Sequence, residues 1–372
     1  TEAVELIKAA KRPAIIAGGG VHYSDSSQQL LDFAQQTGMA VGETLAGRGA
    51  MPAESNMCLH SFGITGNPAA YQIISQADLV ISVGTRLGDF ATGSQSAFRN
   101  PNVKFIGINV VGHDAYKHSA LPIVADAREA LTALSKACAD ARVKANPEYV
   151  AEIAMAKDTW QKQKEKEIYT QIPGETMSQG QLIGILNEEA KPGDTVLSAA
   201  GNQPGDLHKL WDTSGGRHCH LEFGYSCMGY EIPAGIGVRM AQPEGEVYVF
   251  VGDGTYLMCP TEIVTAVQEG LKITVVISDN HGYQCIRGLQ LATTGQDFGN
   301  ELRARDAKTE RLTGDYLTID FAGNGQSMGA RSWHVNTPDE LRKALREARN
   351  ETRTCVIVAD IEKHRFLPPS GM

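Results

Sequence analysis

Two nearly unbroken apolar runs, EVYVFVGDG from Glu246 and ITVVISDN from Ile273, constrain this chain more than any other feature. Strands apolar on both faces belong in a parallel sheet covered on both sides. Between them TEIVTAVQEG reads as a helix, with Pro260 near its start, Gly270 at its end and Ile263, Val264 and Val267 as its expected buried face. The three pieces form a βαβ unit. Its strands run parallel and are expected to be neighbours, so their carboxyl ends emerge on one sheet edge. Asp253 and Asn280, 27 positions apart, are thereby brought together.

Asp253 offers a carboxylate, Asn280 an amide oxygen, and Gly282 a backbone carbonyl that can turn to the same point. Three hard oxygen donors suit Mg²⁺, which completes its shell with phosphate oxygens and water. Gly254 has no side chain, so the amides of Gly254 and Thr255 can approach an anion where the next helix begins. A lone Gly-Asp-Gly is most often a tight turn. The Asp-Asn pair closing the next strand is what raises the two together into a candidate magnesium diphosphate site.

Gly252-Asp253-Gly254 followed by Asn280 resembles the signature of thiamine diphosphate enzymes. The resemblance implies that Asp253, Asn280 and the Gly282 carbonyl hold the metal. Gly224-Tyr225-Ser226-Cys227-Met228-Gly229 is similar to the segment that supports the bent cofactor in that family, with Met228 wedged between the two rings and Ser226 beside it. Upstream, TVLSAAG reads as a strand ending at Gly201, and Asn202 and Gln203 resemble the polar pair that touches the diphosphate. The segments GNQPGDL from Gly201 and HLEFGYSCMGYE from His220 narrow the resemblance to the ring-opening trihydroxycyclohexanedione hydrolases of inositol catabolism. Acetolactate synthases have a glycine-richer segment before the Met, and Phe223, Tyr225, Tyr230 and Glu231 argue against them.

The 372 residues, 42% of them hydrophobic, suffice for two cores. A net charge of -9 leaves no basic footprint for nucleic acid, and no apolar run reaches membrane-spanning length. Seven scattered cysteines without a CxxC pair fit a reducing compartment, and the expected location is cytoplasmic. Residues 1–142 alternate strands (PAIIAGG, DLVISVG, VKFIGIN, PIVAD) with helical segments and are expected to form a Rossmann-like domain. Residues 143–177 read as a charged helical linker, and residues 178–372 as the diphosphate- and Mg-binding domain, whose sheet includes four recognisable strands. The fold class is thus α/β, with two doubly wound parallel sheets. Gly18-Gly19-Gly20 follows the first strand, but Tyr23 stands where a dinucleotide fingerprint needs its third glycine. The resembled central domain binds FAD in some members, near a segment similar to Gly84–Phe90; no functional flavin is expected here.

The resemblance implies a thiamine diphosphate- and Mg²⁺-dependent hydrolase that opens a cyclic 1,2-dione to 5-deoxy-D-glucuronate, the thiazolium serving as electron sink. Polar groups flanking the cofactor segments, His220, Glu222, Tyr225, His281 and Tyr283, are candidate substrate contacts, and each has a plain structural reading beside it. The segment from Leu289 to Asp315 reads as a lid or as a surface insertion. In the resembled family the glutamate that activates the cofactor lies in an N-terminal pyrimidine-binding domain, and no glutamate of this chain takes that role. The chain therefore reads as a fragment or one half of a split enzyme, inactive alone, whose intact form is a homodimer or homotetramer. Two other readings use the same residues: an acetolactate-synthase-like carboligase joining 2-oxoacids, and a noncatalytic nucleotide-binding subunit.

Overall fold

The apolar runs do form parallel strands. The computed structural model of the protein describes residues 1–222 and 224–371. They divide into two compact units, Thr1–Glu167 with Pro368–Met372, and Ile168–Leu367.

In the first unit the strands β1 (Pro13–Ala17), β2 (Ala40–Glu43), β3 (Cys58–Ser61), β4 (Leu79–Val83), β5 (Lys104–Asn109) and β6 (Leu121–Val124) form one parallel sheet in the order β3-β2-β1-β4-β5-β6. The order reverses between β1 and β4, the place where such sheets open a ligand crevice. Here the glycine turn is closed on its neighbour. The Gly18 and Gly20 amides donate to the carbonyls of Val83 (2.8 Å) and Gly84 (2.9 Å), and a Cβ on Gly20 would lie 2.6 Å from Gly84 Cα. Those amides are spent on the protein rather than offered to a phosphate.

The stretch expected as a linker divides between the units. Asn146 caps the helix Pro147–Gln163 by accepting from the Glu148 amide, and Tyr149, Ile153, Ala156 and Trp160 are buried at helical spacing. Lys157 donates to the carbonyls of Ala53 (2.8 Å) and Ser55 (2.7 Å), and Arg12 pairs with Glu152 through two bonds. This helix packs in the first unit despite its charge, because its apolar residues recur every three to four positions.

The second unit holds β7 (Thr195–Ser198), β8 (His218–Leu221), β9 (Val247–Gly252), β10 (Thr274–Asp279), β11 (Arg331–Val335) and β12 (Cys355–Asp360), all parallel, in the order β11-β12-β10-β9-β7-β8. The four apolar strands are the inner ones. The edge strands β8 (HCHL) and β11 (RSWHV) carry polar residues that are partly exposed, which removes the apolar signature the inner strands display. In the helix Glu262–Gln268 the buried residues are Ile263 and Ala266, whereas Val264 and Val267 are 47% and 39% exposed. The expected buried face is corrected by one position: the stripe through 263 and 266 meets the core with Val249, Ile273 and Val275, and the valines lie on the stripe beside it.

Candidate cofactor and metal site

The register of β9 and β10 sets Gly252 opposite Ser278, so the residues that follow each strand emerge side by side. Asp253 opens a four-residue helix and is fully buried; Asp279 and Asn280 are buried as well. The Asp253 carboxylate accepts from the backbone of Gly254 and Gly282 and contacts the Asp279 carboxyl, while its Oδ2 has no hydrogen-bond partner among the described residues. Burial first, and then the neighbouring Asp279 charge, push its pKa well above the usual carboxylate range.

One atom of the Asn280 side-chain amide lies 2.9 Å from the Gly282 carbonyl oxygen and 3.3 Å from Asp253 Oδ1. With nitrogen in that place the amide donates to both oxygens. With its oxygen there, three oxygens face one another, an arrangement that a cation satisfies. Bonds of 2.0–2.1 Å in an octahedron set adjacent ligand oxygens about 3 Å apart. The spacing, the orphaned Oδ2 and the two adjoining carboxyl groups, which a cation would allow to ionise together, all fit Mg²⁺ held by Asp253, Asn280 and Gly282.

Gly282 reaches this position with φ +144, and a Cβ there would stand 2.4 Å from the Asn300 carbonyl oxygen. Only glycine fits without strain. Gly254 also meets a packing need. A Cβ on it would strike the Tyr283 ring at 2.5 Å, so the missing side chain makes room for Tyr283. Tyr283 donates its amide to Asn300 (2.7 Å), and His281 donates its amide to Asp279 Oδ1 (3.0 Å) while its ring packs on Tyr316. Thr255 is buried beside Gly254.

The second group of residues surrounds the segment after β8. Glu222 accepts from the amides of Tyr225 (3.1 Å) and Cys227 (3.0 Å), bending the loop around its carboxylate. Ser226 takes φ +50 in that bend, Tyr225 is almost fully exposed and Met228 is 40% exposed. His220 lies 2.8 Å from the Tyr230 hydroxyl through Nε2. Phe223 lies outside the described residues. Glu231, which the sequence offered only as a subfamily marker, is buried and joins two of the candidate segments, accepting from Ala200 (3.0 Å) and Gly229 (3.1 Å).

After β7, Gly201 has φ +87 and Asn202 precedes the helix Gln203–Leu210. The Gln203 amide points inward, donating to Ser278 (2.8 Å) and Gln179 (3.2 Å), and it fills the space left by Gly252. Gln203 therefore braces the strand ends from beneath. Away from this site, Glu43, Cys58 and His60 place ligand atoms within 4.8 Å of one another, but Glu43 is ion-paired with buried Arg48, so a cation there meets a positive charge already in place.

A buried carboxylate, an amide and a turned carbonyl at the ends of two parallel strands define a diphosphate-cofactor domain, and sequence comparison agrees. The thiamine pyrophosphate enzyme central domain matches residues 1–134, and the thiamine pyrophosphate enzyme C-terminal TPP binding domain matches residues 199–359. The chain belongs to the thiamine pyrophosphate enzymes. Among individual proteins it is 38% identical over 379 aligned residues to the 3D-(3,5/4)-trihydroxycyclohexane-1,2-dione hydrolase of Clostridium tetani (strain Massachusetts / E88), covering 96% of this chain and 58% of that protein. The proteins of the same name from Bacillus cereus (strain AH820) and Bacillus anthracis are 37% identical with the same coverage. The chain thus spans little more than half the length of the curated relatives it matches.

Proposed function

We propose that the polypeptide of which this chain forms the central and cofactor-binding part opens the ring of 3D-(3,5/4)-trihydroxycyclohexane-1,2-dione. Water adds across the carbon–carbon bond between the two carbonyls, one carbon leaving as a carboxylate and the other as an aldehyde, to give 5-deoxy-D-glucuronate. The observation that carries this reading is the 37–38% identity to hydrolases of that name along 96% of the chain.

In this reading Asp253, Asn280 and Gly282 hold Mg²⁺, and the cation fixes the diphosphate against Gly201, Asn202, Ser226, Gly254 and Thr255. Gln203 serves as the brace beneath them. Bound thiamine diphosphate supplies an electron sink for the carbanion left by bond cleavage. Met228, on the loop shaped by Glu222, supports the bent cofactor. His220, Glu222, Tyr225, His281 and Tyr283 are the polar groups offered to the polyol.

Exposed apolar side chains at Tyr225, Met228, Ile286, Leu289 and Phe298 support a covering partner, which we take to be a pyrimidine-binding domain of a second copy in a homodimer or homotetramer. Alone, the chain is expected to turn over little or no substrate. Among the described residues no helix is long and apolar enough to cross a membrane. The seven cysteines form no disulfide among the described residues, which supports a cytoplasmic location. Product analysis of the full-length polypeptide with thiamine diphosphate and Mg²⁺ tests the function. Ring-opened aldehyde acid from the dione is the expected result; acetolactate from pyruvate without dione cleavage would make it a carboligase instead.

A further inference from the structure

Glu301 lies outside every motif in the sequence, yet much of the cofactor-side loop converges on its carboxylate. Oε1 accepts from the Tyr316 hydroxyl (2.8 Å) and from Gln284 Nε2 (3.3 Å) and lies 3.0 Å from His364 Nε2; Oε2 accepts from Arg303 Nε (2.7 Å). Arg287 Nε stands 3.9 Å away. Burial alone would raise the carboxyl's pKa, but these donors outweigh it and hold it at about 2, so the group is charged throughout the neutral range.

Three connections from this cluster, through Gln284, Tyr316 and the Glu301 backbone, lead to the turn that carries two of the three proposed metal donors. Gln284, buried, gives its amide both to Glu301 and to the Asn280 carbonyl (3.1 Å). Tyr316 packs its ring on His281 with centroids 5.0 Å apart, and the Arg303 guanidinium lies over the same Tyr316 ring, 3.8 Å from its centroid. The Glu301 backbone pairs antiparallel with Gly282. The flanking bonds run from Tyr283 N to Asn300 O (2.7 Å) and from Leu302 N to His281 O (2.9 Å). Residues 280, 281 and 282 are thus each held from Glu301 or its immediate partners. The segment after the helix Gln284–Thr294 is fastened to the metal turn rather than hanging free of it.

We propose that Glu301 is a positioning residue for the metal site: its carboxylate gathers the 284–316 segment so that the segment's backbone aims the Gly282 carbonyl at the cation. Glu301 is not one of the three donors. Its loss leaves the three donors present but lets the turn that presents Gly282 relax. The proposal deepens the metal reading above and rests on it. Partners that orient ligands from one shell out typically change metal affinity by about 10–100-fold when removed.

The test compares the parent chain with Glu301→Ala, Glu301→Gln and, as a control, Asp253→Ala. Two readouts are used: Mn²⁺ affinity in the presence of thiamine diphosphate, by electron paramagnetic resonance, and hydrogen exchange of the Tyr283 and Leu302 amides. Glu301→Ala is expected to weaken Mn²⁺ about 10–100-fold and to speed exchange of both amides at least about 10-fold, with β9 and β10 amides unchanged. Glu301→Gln, which keeps an acceptor and the side-chain length, is expected to fall between the two and covers the case in which the alanine variant does not fold. Mn²⁺ affinity equal to the parent's in both variants, while Asp253→Ala abolishes binding, would overturn the proposal and leave the metal reading standing. If the parent binds no Mn²⁺, the metal reading fails and the proposal with it.

Discussion

Replacing Asp253 by Asn should change the stability of the empty and the loaded protein in opposite directions. In the parent, Asp253 Oδ2 is buried without a partner and the carboxyl touches Asp279. A buried polar atom left unsatisfied costs about 1–3 kcal/mol, and an amide nitrogen in its place can donate to the Asp279 carboxylate. With roughly 2–4 °C per kcal/mol for a domain of 150–250 residues, a gain of about 2 kcal/mol raises the melting temperature without ligand by about 4–8 °C. Because the folded Asp253 pKa is raised, its contribution favours folding below the unfolded carboxyl range near pH ~4 and is lost as pH rises through the folded value. The gain from Asn is therefore expected at neutral pH and should vanish near pH ~4. With Mg²⁺ and thiamine diphosphate at about 100 times the dissociation constant, the parent gains about 2.7 kcal/mol, or roughly 5–11 °C, while the variant, missing the anionic ligand, gains almost nothing. Calorimetric scans at pH 7 and pH 4, with and without ligand, read both effects. A variant less stable than the parent when empty at pH 7, or one that keeps the parent's ligand-induced shift, would refute the reasoning.

Three further outcomes follow from particular contacts. Gly282→Ala places a Cβ against the Asn300 carbonyl at φ +144, so it should cost about 1–3 kcal/mol and weaken Mg²⁺-dependent cofactor binding, whereas Gly270→Ala, at φ +65 with open space around it, should lower stability without touching binding, both read by thermal scans and titration. Met228→Ala should lower turnover of the full-length enzyme more than it lowers Mg²⁺ affinity; the reverse pattern in steady-state kinetics and metal titration would remove Met228 from the cofactor's support. Trp160→Ala should cost about 3–5 kcal/mol in the unit that contains the helix Pro147–Gln163 and leave the ligand-induced shift intact in a two-transition calorimetric trace.

The convergence of Asp253, Asn280 and Gly282, the proposed metal donors, was legible because β9 and β10 are inner strands whose apolar runs declare both their type and their ends, and adjacency does the rest. The edge strands β8 and β11 escaped, since half-exposed residues such as His218, His220, Arg331 and Ser332 dilute the pattern that marks a strand. Gly201, Asn202 and Ser226 were offered as cofactor contacts by resemblance alone, and the inward turn of Gln203 toward Ser278 and the seating of Tyr283 on Gly254 depend on packing between distant segments. Glu301 left no trace at all. It sits in a stretch with no period, and its partners at 284, 303, 316 and 364 are gathered only by the fold. A short spacing signal did exist for one missed support: Ser178 and Gln181 form a capping box, which fixes the helix that carries Gln179 to the Gln203 brace.

The most direct test of the central claim, that Asp253, Asn280 and Gly282 fasten a diphosphate through a divalent cation, is calorimetric titration of thiamine diphosphate into this chain with and without Mg²⁺. Binding that requires Mg²⁺ and disappears in Asp253→Ala is the predicted result. Binding of equal strength without the metal, or unchanged in Asp253→Ala, would contradict it.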